Sequence, residues 1–285
     1  MAIVAAMVKA SSRPRRRPPK GWPTAAFWRP YLAPLRGIGP PQAAADLDPP
    51  AIAARFWTDG FASLPGAMPA HQIAPLAAAV RRLAAAGLPP VFLFLAPETW
   101  RAFAPVEALL TYMLGRKPAL LPHFWAWHVP PRAGARGWPP HRDYQGPSVI
   151  GPPGQEQAAS LSLWLALDAV GPDQAALRLL PIGAPAAAAV PLTGPAGTIG
   201  LWRQDLWHWS DPMRATARRP RISLSLEFQN RAHPPLATPL LDPAAPPAWP
   251  LRRDLVAAQL AAYGGMETLA LGWRHIAARR RRRAG

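Results

Sequence analysis

The chain contains no cysteine, which excludes a thiol nucleophile, a disulfide framework, a zinc knuckle and a cysteinyl iron–sulfur centre. Any metal must then be held by His, Asp or Glu. Seven histidines are available, and one of them has an acid at a useful spacing: His141 and Asp143 in GWPPHRDYQG. Residues i and i+2 of an extended segment project from the same face, so this imidazole and this carboxylate can converge on one ion. A third ligand has to come from a strand that lies beside the first, and His208 in GLWRQDLWHWSDP, 67 residues downstream, sits on such a segment. Two imidazoles, one carboxylate and open coordination positions make up the donor set of facial-triad Fe(II) sites. Thirteen residues further on, Arg221 opens the segment RISLSLEF, where its guanidinium could clamp the distal carboxylate of a dicarboxylate co-substrate through two hydrogen bonds. Arg214, Arg218 and Arg219 compete for that role, and Arg221 has the advantage of beginning an alternating strand.

Such residues need a scaffold of closely packed strands, and the pattern supplies one. After Pro118 the apolar period is two: 119–129, 159–170, 176–182, 197–202, 205–210 and 221–229 read as strands bounded by Pro and Gly clusters. In SLSLWLAL and RISLSLEF small polar residues alternate with Leu and Ile, as in a sheet with one face packed and the other lining something wetter. Short strands without intervening helices imply a sandwich or barrel. Before this β core, Pro49 begins a short helix, Asp59-Gly60 a turn, 61–64 a short strand and 69–86 a helix whose Ile73, Leu76, Val80 and Leu83 share one face. A further helical piece is expected over 98–115 and another over 252–265, while 1–48 reads as a basic, Pro-rich arm whose aromatics lie extended over the body.

At 285 residues, half of them apolar and with 13 Trp to bury, the chain can build one substantial core in spite of its 40 Pro. Residues 49–273 read as a single domain carrying the β core at 118–230. The formal net charge is +17, yet six basic side chains fall in residues 1–20 and six more in 274–285, leaving the body near +5. Arg-rich runs of this kind bind nucleic acid or anionic surfaces by counterion release, and they are also common as solvated ends. No run approaches 18 apolar residues and no signal-peptide pattern is found, so the expectation is a cytoplasmic protein without a membrane partner.

In order along the chain, the segments resemble the phytanoyl-CoA dioxygenase family of Fe(II)- and 2-oxoglutarate-dependent oxygenases. FWTDGFASLPGAMP resembles its Asp-Gly-Phe segment leading to LPG and a helix, and HRD its His-x-Asp motif. LSLWLALDAVGPDQAALRLLPIG, GTIGLWRQDLWHWSDP and RPRISLSLEFQ resemble its later strands with the distal His and Arg; the match covers roughly 52–230. Two departures, PIGAP at 181–185 and PDQAA at 172–176, lie in a loop.

The resemblance implies a double-stranded β-helix, or jelly roll, with flanking helices. It implies that His141, Asp143 and His208 hold iron, that Arg221 grips the C5 carboxylate of 2-oxoglutarate, and that Ser223, on the same strand face, adds a hydroxyl to it. It further implies O2-dependent decarboxylation of 2-oxoglutarate to succinate and CO2, coupled to attack on a C–H bond of a small organic substrate. The acid is retained at Asp143, which favours hydroxylation over halogenation. His123 and His128 on the preceding strand, Tyr144 and Gln155 around HRD, and Trp164 are the candidates for lining the substrate pocket, within a wall of Trp125, Trp127, Trp138, Trp202, Trp207 and Trp209. The basic body mildly favours an anionic substrate such as a small organic acid. The alternative reading is a non-catalytic jelly roll whose Arg-rich ends bind nucleic acid or anionic surfaces.

Overall fold

The computed structural model describes residues 24–263 apart from 40, 41, 45, 46, 153 and 154, so the basic runs at 1–20 and 274–285 lie outside the described residues. Among the described residues the first element is a helix, α1 (Ala25–Leu32), within the stretch expected to be an extended arm. Thr24 caps it by accepting from the Phe27 N–H, and it is anchored by Trp28, which is buried against Phe92 with ring centroids 4.4 Å apart. A short 3-10 turn (Ala33–Gly37) follows and buries Leu35.

The helix α2 (Pro49–Asp59) begins with the Asp48 carboxylate accepting from the Ala51 N–H, with Pro at the first turn, and ends on Gly60. Gly60 has φ +85°, and its N–H bonds the Phe56 carbonyl. This turn feeds β1 (Phe61–Leu64), and α3 (Ala70–Ala85) follows with Ile73, Leu76, Val80 and Leu83 buried as the spacing requires. The single helix expected over 98–115 is broken. α4 (Pro97–Trp100) and α5 (Glu107–Leu114) are separated by a 3-10 turn around Pro105, whose missing N–H cannot continue an α-helix.

The β core comprises β2 (Ala119–Val129), β3 (Val149–Ile150), β4 (Gln157–Ala158), β5 (Ser160–Ala166), β6 (Leu177–Leu179), β7 (Val190–Leu192), β8 (Ile199–Arg203), β9 (His208–Ser210) and β10 (Arg221–Gln229). An antiparallel five-stranded sheet runs β1-β8-β5-β10-β2, and a three-stranded sheet runs β7-β6-β9. The strand β7 and the β3-β4 ribbon were not expected. β7 is an edge strand carrying Pro191 in an alanine-rich stretch, where a pattern of alternation has little to show itself in. The C-terminal α6 (Trp249–Tyr263) returns to the large sheet, with Gln259 bonding the Pro122 carbonyl in β2.

The two faces of the large sheet differ as the alternation requires. Leu161, Leu163 and Leu165 of β5 and Ile222, Leu224, Leu226 and Phe228 of β10 join the helical layer in one core. The opposite residues, Ser162 and Trp164 of β5 and Arg221, Ser225 and Glu227 of β10, line a pocket toward the small sheet. The architecture is therefore a double-stranded β-helix with its helices packed on the back of the larger sheet. Among the described residues no helix is long and apolar enough to cross a membrane.

Candidate metal centre and its pocket

His141 and His208 meet across an isolated antiparallel bridge, each accepting the other's N–H at its carbonyl oxygen at 3.0 Å. This pairing sets the imidazoles with ring centroids 4.1 Å apart. The ring orientation is fixed locally: His141 Nδ1 lies 2.7 Å from the Pro139 carbonyl and His208 Nδ1 3.0 Å from the Leu206 carbonyl. An Nδ1–H donated to each carbonyl leaves Nε2 as the free ligand atom on both rings. Those atoms stand 3.6 Å (His141) and 3.4 Å (His208) from Asp143 Oδ1, and the ligand atoms of all three residues lie within 4.8 Å of one another. His141 Nε2 is buried and has no hydrogen-bond partner.

The second oxygen of Asp143 is occupied. Oδ2 accepts from Ser162 Oγ at 2.7 Å and from Trp202 Nε1 at 3.0 Å, which turns Oδ1 toward the two rings. Burial opposes the charge on Asp143, but the charge and hydrogen bond of His208, then the charge of His141 and the Ser162 hydroxyl, hold its carboxyl well below the usual carboxylate range. Burial, reinforced by the neighbouring His208, pushes His141 down to about 4. For His208 burial acts the same way, and Asp143 outweighs it, raising the imidazole. The cluster thus sets a carboxylate held anionic beside two imidazoles, a donor set that a divalent cation can take. Because such outer partners orient a ligand carboxylate, Ser162→Ala is expected to lower the affinity for a divalent ion by about 10- to 100-fold, measured by competition with a chelating dye.

On the same inner wall Arg221 is buried, 1% exposed. Its Nη1 donates to the Ala175 carbonyl at 2.7 Å, its Nε has no partner, and no carboxylate pairs with it among the described residues. Burial lowers it to about 10, so it stays a cation at neutral pH. Ser223, two residues along on the same strand face, is also buried with an unpartnered hydroxyl, but it is not among the residues that line the pocket. Arg214, Arg218 and Arg219 are exposed, so Arg221 is the guanidinium that faces the pocket. Gly137 keeps that space open: a Cβ there would stand 2.8 Å from Arg221 Nη2. Gly137→Ala is accordingly expected to displace the guanidinium and weaken binding of a carboxylate ligand at Arg221 about tenfold.

The remaining sequence candidates divide. His123 and Trp164 line the pocket, Trp164 with an unpartnered Nε1. His128 does not: it is one residue out of phase with Trp125 and Trp127 and lies on the other face of β2, where its imidazole is lowered by burial and by Arg81. Tyr144 is half-buried outside the pocket, held by its N–H to the Gln204 carbonyl, and Gln155 is exposed in the β3-β4 ribbon turn. Of the tryptophans, Trp207 is 45% exposed under the Arg142 guanidinium and Trp209 is also outside the pocket, while Trp125, Trp127, Trp138, Trp164 and Trp202 form the wall.

The sequence reading does not single out Glu227, Gln204, Gln259 or Tyr263. Glu227 Oε2 accepts from Gln204 Nε2 at 2.7 Å and pairs with His123 Nδ1 at 2.9 Å. Burial raises Glu227; it opposes charge on His123 too, yet the Glu227 hydrogen bond and charge leave His123 raised. Counting in steps of two from Arg221 along RISLSLEF reaches Glu227, so the alternation was the available signal.

No protein-family model matches the chain, and no curated protein matches it. Solved structures do. The non-heme monooxygenase ThoJ, in its apo form, superposes with a TM-score of 0.52 at 18% identity, over 67% of this chain and 83% of that one. HygX from Streptomyces hygroscopicus, solved with nickel and 2-oxoglutarate bound, gives 0.51 at 12% identity over 65% and 88%. EvdO2 from Micromonospora carbonacea var. aurantiaca, complexed with 2-oxoglutarate, gives 0.50 at 19% identity over 73% and 98%. At these identities the likeness is one of fold, the double-stranded β-helix already described.

Proposed function

We propose that the chain is an Fe(II)- and 2-oxoglutarate-dependent oxygenase that hydroxylates a C–H bond of a small organic substrate and releases succinate and CO2. The observation that carries this reading is Arg221. An unpaired buried cation is costly to keep, and this one lies on the wall of a pocket that also holds two histidines and a carboxylate within metal-ligand reach of one another. A dicarboxylate that chelates the ion at one end and meets Arg221 and Ser223 at the other would answer both demands. The order of motifs, from the Asp-Gly-Phe segment through HRD to RISLSLEF, supports a kinship with the phytanoyl-CoA dioxygenase family, and the solved complexes of HygX and EvdO2 with 2-oxoglutarate are in keeping with it.

The residues present fit the ion: His141 Nε2 is buried and unpartnered, and Nε2 of His208 and Oδ1 of Asp143 share its neighbourhood. When bound, iron would supply the site at which O2, the oxidant, is activated for the decarboxylation of 2-oxoglutarate. The chain's own part is geometry and exclusion of water. The Pro139 and Leu206 carbonyls fix the two rings, Ser162 and Trp202 fix the carboxylate, and Arg221 sets the direction of the co-substrate. The five pocket tryptophans, with Tyr263 tilted 36° to Trp138 at a centroid distance of 4.9 Å, give the cavity an aromatic wall and roof. Burial pushes the Tyr263 phenol up to about 12, so this roof stays uncharged.

Substrate-free turnover tests the reading, because slow uncoupled decarboxylation needs only the metal and the clamp. With Fe(II), ascorbate, O2 and 2-oxoglutarate the protein is expected to release succinate slowly. A yield no greater than that of Asp143→Ala would sink the proposal.

A further inference from the structure

Beyond the metal and Arg221, the pocket has a second polar end that the proposed chemistry does not use. A β-bulge in β2 creates it: β10 advances from Leu226 to Phe228 while the opposing register passes from Phe124 to Leu120. Pro122 sits in the bulge and leaves its carbonyl to Gln259, and His123 meets Glu227 across the strands. From there a polar row runs back to the metal centre. Gln204 Nε2 lies 2.7 Å from Glu227 Oε2 and 3.5 Å from Ser162 Oγ, and Ser162 holds Asp143. The His123 side chain is 39% exposed, so this end opens toward solvent.

We propose, on the footing that the chain is a 2-oxoglutarate-dependent oxygenase, that His123, Glu227 and Gln259 recognise the hydroxyl groups of a polyhydroxylated, sugar-like substrate. A carboxylate substrate would face Glu227, and among the described residues of the pocket Arg221 lies at the other end of β10 while His123 is already engaged by Glu227. An ammonium group would have to displace His123 Nδ1 and Gln204 Nε2, which already occupy Glu227 Oε2. A wholly apolar substrate would leave Gln259 Oε1 stranded; it is already buried without a partner, and both contacts to Glu227 use Oε2.

A hydroxyl both donates and accepts, and so matches an end that offers carboxylate and amide oxygens beside an imidazole. Sugar-like rings also present C–H faces, and the adjoining wall is aromatic: Trp125, Trp138 and Tyr263 lie with centroids 4.9 to 6.2 Å apart. Under this proposal a polyol takes the place of the organic acid that the net charge mildly favours.

The test uses the full-length protein loaded with Ni(II) and 2-oxoglutarate and a panel of methyl glycosides and disaccharides, with cyclohexanecarboxylates and cyclohexylamines as counter-probes. Binding is read from quenching of tryptophan fluorescence, and coupling from succinate release after Fe(II) is substituted and O2 admitted. At least one glycoside is expected to quench and to stimulate succinate release. E227Q and H123N, two independent variants, should each raise its half-saturating concentration about tenfold. Response to acids or amines in place of glycosides, no response to any polyol, or a glycoside response unchanged in both variants would overturn the assignment. Absence of succinate from the wild-type protein under all conditions would instead overturn the oxygenase reading, which the fluorescence titration does not depend on.

Discussion

Replacing Arg221 by Met is expected to weaken 2-oxoglutarate binding by more than about 100-fold, since a charged, two-pronged hydrogen bond in a buried site is worth roughly 3 kcal/mol. Titration calorimetry of the Ni(II)-loaded protein without O2 measures it directly. Met keeps most of the side-chain volume, which separates loss of the charge from loss of packing. Removing a buried cation that lacks an acidic partner also carries a second signature: the metal-free protein should melt no lower than wild type. A purely structural Arg221 would reverse both results, lowering the melting temperature and sparing the affinity. Arg219→Ala, at an exposed position, should leave the affinity within about twofold, as surface changes do.

Asp143→Asn should lower divalent-metal affinity by more than about 100-fold, above the range for losing an outer-sphere partner. The amide oxygen can still accept from Ser162 and Trp202, so the substitution removes the negative charge while leaving the shape of the site. Competition against a chelating dye, or the ligand-field spectrum of the Co(II) protein, reports the change. Asp143→Ala, which also strands the Ser162 hydroxyl and the Trp202 N–H, should bind no better. Retention of wild-type affinity in both variants would mean that the ion is held elsewhere.

What could be read from the sequence followed from period. Ile73, Leu76, Val80 and Leu83 announce their helix, and the alternation of RISLSLEF separates the packed Ile222, Leu224 and Leu226 from the pocket-facing Arg221 and Glu227. The same rule, applied from Trp125 and Trp127, places His123 inward and His128 outward. Where period fails, so does the reading. β7 is three residues, Val-Pro-Leu after a run of alanines, too short to show an alternation, Pro105 divides a helix whose apolar residues continue past it, and α1 depends on Trp28 finding Phe92, a partner distant in sequence. Gln259 and Tyr263 arrive at the pocket from a helix that begins twenty residues beyond the last strand, and no local pattern specifies where that helix docks.

The bridge between His141 and His208 makes the two imidazoles cross-strand partners, so their separation is a property of strand register more than of either side chain. A slip of one residue in either segment would turn that segment's imidazole to the opposite side and leave the other without its partner, since neighbouring positions on a strand face opposite sides. The centre depends for that reason on backbone pairing as much as on the two side chains themselves. Tolerance to sequence change around it should then follow the pairing, with GWPP before His141 and DLW before His208 free to vary only as far as they keep the two segments in step.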